Sequence, residues 1–175
     1  MFETLATLVQ PWADLYSEHA LLATGVLTVH MLAMFTGGGM AIAADRAILR
    51  AAPGTADAMR AVVADLATTH SIVIGALALT FASGFALFAS DVPTFSVSKV
   101  YWVKMATVAF LLINGLRMRR AEAAVVKSLD GAPIHTAEMP VPFSMAEWRG
   151  VRTTAGLSLV MWFALVVLGV LVTNG

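Results

Sequence analysis

Four stretches of this chain, about 19–44, 67–90, 98–119 and 153–173, are each apolar for long enough to cross a bilayer as a helix. A hydrocarbon core of about 30 Å takes about 20 apolar residues at 1.5 Å of rise each. That length predicts an all-α, integral membrane four-helix bundle, with residues 1–175 forming one membrane domain. Composition agrees: 59% of residues are hydrophobic and 13% charged, against about 25% charged in soluble domains. The mean hydropathy is +0.81.

Charge placement orients the spans. Nine of the eleven Lys and Arg residues follow span one or span three: Arg46, Arg50, Arg60, Arg117, Arg119, Arg120, Lys127, Arg149 and Arg152. Lys99 and Lys104 lie at the other end. The positive-inside rule makes the first set cytoplasmic, so both termini are expected outside, N-out and C-out, in a bacterial inner membrane. Glu3, Asp14 and Glu18 precede the first apolar window, which is unlike a signal peptide with its basic start. The net charge of zero gives nucleic acid no electrostatic hold. Absence of cysteine removes disulfides, thiolate ligands and cysteine nucleophiles.

The connections carry further expectations. Phe2, Leu5, Leu8, Val9 and Trp12 recur at helical spacing, predicting a short N-terminal interfacial helix with Trp12 and Tyr16 at headgroup level. The hairpin "ASDVPTFSVSK" predicts that spans two and three are antiparallel neighbours. Thr55 is a plausible N-cap for a helix over 55–65. Residues 120–152, with "DGAP" and "MPVP", read as a cytoplasmic loop in which His135 is solvated.

An ionisable side chain inside a bilayer faces a partner and marks a functional candidate. The candidates are His30, His70, Lys104 and the Asp45–Arg46 pair. Asp45 and Arg46 end span one as a carboxylate–guanidinium pair does in headgroups. A buried histidine either bonds a neighbouring helix or ligates iron. Measured from Asp45 and Asp65, helix rise puts His30 about 22 Å deep and His70 about 7 Å deep. The offset of about 15 Å strains a single haem clasped by both. Met105 and Met161 fall near the depth of His30 and offer a soft ligand for haem or Cu(I), although methionine is also a common gap-filler. Lys104 either snorkels to the headgroups or serves a quinone oxygen or haem propionate. Gly37, Gly38 and Gly39 with the small residues of span two allow close helix approach, or room for a planar cofactor.

The segments "VHMLAMFTGGGMAIAADRAI", "THSIVIGALALTFASGFALFASD", "SKVYWVKMATVAFLLINGLRMRR" and "GLSLVMWFALVVLGVLV" resemble a family of uncharacterised bacterial four-helix inner-membrane proteins. That family is related, more distantly, to the copper-resistance protein D and J-type protoporphyrinogen oxidase membrane superfamily. The matching positions are His30, Asp45, Arg46, Gly84, Phe88, Lys104, Asn114, Ser158 and Trp162. The chain departs from the pattern in reading "SGFALFAS" where Thr-Gly is usual, and His70 falls at a variable position. The resemblance covers most of the four spans and none of 121–148. It implies a membrane bundle, with haem held in some relatives through the span-one histidine.

Three functions are open to the sequence. One is a b-type haem protein passing electrons to or from a quinone or redox protein, with His30 as axial ligand and His70 or a methionine as the second. Another is a non-catalytic subunit, or a homo-oligomer, packed in a larger respiratory or photosynthetic complex. The third is a copper-handling membrane protein.

Overall fold

The computed structural model of the chain describes residues 2–51, 56–130 and 145–174, which are helical apart from single-residue junctions. Helix α1 (Phe2–Glu18) leads directly into α2 (Ala20–Arg50). Helix α3 (Ala56–Ser90) is joined by the short α4 (Val92–Val97) to α5 (Lys99–Asp130), and α6 (Met145–Asn174) closes the chain. Four of these are long and apolar enough to cross a membrane: Ala20–Arg50, Ala64–Ser90, Lys99–Lys127 and Trp148–Val172. Their outward faces carry Leu21, Phe35, Phe81 and Phe110, each more than 60% exposed. Water would penalise that surface heavily, and acyl chains would not.

Helix covers much of what the sequence reads as loop. Helix α5 continues to Asp130 because "RAEAAVVK" is built of strong helix formers, and α6 begins at Met145, eight residues before its apolar window. Residues 131–144, including His135, and Thr55 lie outside the described residues. The N-terminal helix is longer than the expected 2–12 and holds Pro11 within it.

Packing runs α3 to α2, α2 to α6, and α6 to α5. Small residues permit it. A Cβ on Gly37 would stand 2.9 Å from Ala76 Cβ on α3, and one on Gly38 would stand 3.0 Å from the Trp162 ring on α6. Helix α2 therefore touches both neighbours nearly backbone to side chain, the approach that stabilises helices in lipid.

Spans two and three, α3 and α5, are not the close neighbours that their short hairpin suggested. At the hairpin end Phe88 stacks on Tyr101 with centroids 5.3 Å apart and Phe95 contacts both rings, and at the other end His70 approaches Glu122 and Leu66 shares a cluster with Met118 and Val125. The Asp91 side chain accepts from Thr94 N–H at 3.2 Å and starts α4. Trp12 donates its indole N–H to the Ala86 carbonyl at 2.8 Å, which ties α1 to the same end. Aromatic side chains collect there as they do at a membrane interface.

Two apolar clusters fill the interior. Ile48, Leu66, Met118, Val125, Trp148, Val151 and Ala155 draw on all four long helices. Leu111, Trp162 and Leu165 form the second, with Leu77 and Met161 against them.

Substitution at the three consecutive glycines should separate contact from propensity. Gly37→Val drives a branched side chain into α3 and should cost about 1–3 kcal/mol. Gly39→Ala meets nothing within 4 Å and should be neutral or stabilising. Thermal unfolding in detergent reads both, and equal losses at the two positions would contradict the close α2–α3 contact.

Candidate functional site

The buried polar residues separate into two groups at different depths. The first centres on His30, which is buried while its neighbours Val29 and Met31 are exposed. Its imidazole lies on α3, with Nδ1 3.0 Å from Ser83 Oγ. Gly84 makes the space, since a Cβ there would stand 3.2 Å from His30 Cε1.

The protons on this contact can be assigned. Ser83 Oγ lies 2.7 Å from the Leu79 carbonyl and 3.2 Å from the Thr80 carbonyl, and carbonyls only accept. A hydroxyl has one proton. With that proton given to α3's own backbone, Ser83 accepts from His30 Nδ1–H, and the lone pair of the neutral ring is on Nε2. Metal-ligating histidines are held in this manner, one ring N–H fixed by an acceptor and the other nitrogen turned to the metal.

Lys104 lies within electrostatic range of His30. It is half-buried, and its Nζ sits 4.0 Å from where a Cβ on Gly169 of α6 would stand. The structure thus brings His30 and Lys104 into one region, with α3 and α6 each contributing a glycine where the side chain lodges.

His70 belongs elsewhere. It is thirteen residues from Ser83 on the same helix, about 20 Å of rise, so the two histidines do not converge on one point. Its Nδ1 lies 3.6 Å from Glu122 Oε2, too long for a hydrogen bond. Asp45 and Arg46 also part company. Asp45 is 3% exposed and hydrogen-bonds the Ser158 side chain, whereas Arg46 is exposed. Successive helical residues point about 100° apart, so a carboxylate turned inward leaves its neighbour outside. Met161 packs on the Leu111–Trp162–Leu165 cluster as a gap-filler and Met105 is half-buried on α5.

Asp45 and His70 share a second region with Asn114 and Ser158, around a cavity of about 180 Å³ lined by α2, α3, α5 and α6. Asn114 donates its amide to the Thr154 carbonyl at 2.8 Å. Asp45 Oδ2, Asn114 Oδ1 and Glu122 Oε1 are buried without a hydrogen-bond partner among the described residues.

Glu122 and Ser83 escaped the sequence reading. Glu122 fell in the expected loop, yet Leu111, Asn114, Met118, Glu122 and Val125 are buried at the three- and four-residue steps of one helix face. Ser83 had a weaker signal, a hydroxyl among small residues that looked like packing alone.

Among the described residues no three His, Asp or Glu side chains converge as a metal-binding group. A haem iron takes four of its ligands from the porphyrin and asks the protein for one or two. His30 fits such a role by burial, tautomer and its fixed Nδ1–H. The cavity beside His70 does not, being smaller than the about 300–1,000 Å³ of sites for drug-sized ligands. The chain matches no family model, no curated protein and no solved structure.

Nitrogen-15 NMR of histidine-labelled protein should find the His30 proton on Nδ1. Ser83→Ala should abolish that preference, and a proton on Nε2 in the unaltered chain would refute the assignment.

Proposed function

We propose that the chain is a b-type haem-binding protein of the bacterial inner membrane that transfers electrons, its four spans forming an N-out, C-out bundle, with His30 as an axial ligand. The observation that carries this is the hydrogen bond from His30 Nδ1–H to a serine whose own proton is already committed. Haem, when bound, supplies one-electron chemistry at its iron. The protein's part is to hold the imidazole. Ser83 fixes the tautomer and Gly84 sets the ring against α3. Lys104 would balance a propionate.

The second axial position is not assigned to His70, which lies at another level and beside a cavity too small for a porphyrin. A copper site is disfavoured by the packing role of Met161.

Purified protein should show a Soret band and a reducible α-band. His30→Ala should lose bound haem, whereas His70→Ala should retain it at native stoichiometry. A colourless native protein, or haem loss in His70→Ala alone, would overturn the reading.

The absence of cysteine makes orientation simple to test. A single cysteine at Ser96 should react with an impermeant thiol reagent added outside intact cells, and one at Lys127 should not.

A further inference from the structure

The cavity beside His70 has a chemistry of its own that His30 does not use. Of the donors along it, Thr69 gives its hydroxyl proton to the Asp65 carbonyl at 3.1 Å, Asn114 gives an amide proton to Thr154, and Ser158 bonds Asp45. Arg119 also lines it, is exposed, and has no carboxylate within 4 Å among the described residues. The carboxyl groups nearest to it, Asp45 and Glu122, are 3% and 8% exposed, so they stand inside while the guanidinium stands at the surface. A guanidinium keeps its charge and offers five N–H donors. The uncommitted polarity at this cavity is therefore cationic, and it calls for an anionic acceptor.

The remaining walls are apolar and partly open. Ile74 on α3 and Leu112 and Leu116 on α5 line the cavity and are 46–57% exposed, in segments apolar enough to lie in the membrane. Their exposure puts the opening between α3 and α5, toward acyl chains. Leu112, Leu116 and Arg119 follow one another at four and three residues, which sets them on one face of α5. The charge thus stands at the end of an apolar wall about 10 Å long by helix rise. It stands with Arg117 and Arg120 where the apolar window of α5 ends, the level at which basic side chains meet head groups.

That combination narrows the occupant. A free phosphate meets the charge and leaves the apolar slot empty, and a neutral hydrocarbon does the reverse. A helix of a second copy is about 10 Å across, too wide for a slot of about 180 Å³. We infer that this cleft holds one anionic phospholipid, its phosphate on Arg119 and an acyl chain lying past Gly115 between α3 and α5. Basic sites between membrane helices take anionic head groups in this way. The site is separate from His30 and needs no haem.

The test uses the full-length protein, stripped of lipid in detergent and titrated with phospholipid under native mass spectrometry. Dioleoyl phosphatidylglycerol should add one equivalent and bind about fivefold more tightly than dioleoyl phosphatidylcholine, the worth of one arginine at a head-group charge. Arg119→Gln should erase that preference, whereas Arg120→Gln, at the exposed neighbour, should keep it. Gly115 lines the cleft, and a Cβ there meets nothing within 4 Å. Gly115→Phe should therefore fold, and by filling the slot should weaken both lipids about tenfold, the loss of roughly two buried methylenes. Glycerol 3-phosphate, the charge without the chains, should leave the lipid bound. Equal affinity for the two lipids, a preference that survives Arg119→Gln or is lost equally in Arg120→Gln, native affinity in Gly115→Phe, displacement by glycerol 3-phosphate, or a protein dimer in place of the lipid adduct would each overturn the assignment.

Discussion

Helix α2 reaches α3 and α6 together because Gly37 and Gly38 present no side chain to either. In lipid no hydrophobic force draws helices to one another, so close van der Waals contact and a few polar bonds must hold them. The two glycines supply the first on adjacent faces of one helix. Everything polar in the interior then depends on α2 being there. His30, two turns before the glycines, reaches Ser83 on one neighbour, and Asp45, two turns after them, reaches Ser158 on the other.

The same helix therefore carries two polar centres that differ in character. At His30 the hydrogen bonding is closed: Ser83 receives one proton and gives one, and the ring lodges over Gly84. At Asp45 it is incomplete: the side chain reaches Ser158, and Oδ2 is buried without a hydrogen-bond partner among the described residues. Intramembrane ionisable residues are costly and mark functional candidates, and here they stand at two separate levels of the same helix.

Much of this could be read in the residues. Four apolar windows gave the long helices, and the cost of an imidazole in lipid singled out His30. Helix rise alone separated His30 from His70, and the structure places them farther apart still. Other features were hidden because they arise between elements. Nothing in "SGFALF" distinguishes a serine that fixes a histidine tautomer from one that merely packs. Asp45 and Arg46, adjacent in sequence, looked like an ion pair until the helix turned them to opposite environments. Glu122 was lost because its polar company masked a helix that continues well past its apolar window. The hairpin misled for a related reason: a short connection joins the ends of α3 and α5 without making them each other's main packing partners.

That pattern of packing shapes how the molecule is assembled. The described helices form two paired units, α2 with α3 and α5 with α6, fastened to each other through α2 and α6, which lie far apart in sequence. Contacts local in sequence form early, and those that bridge distant segments wait for loop closure. The α2–α6 contact can therefore form only after α6 has been made, and until then Asp45 lacks the partner that Ser158 provides.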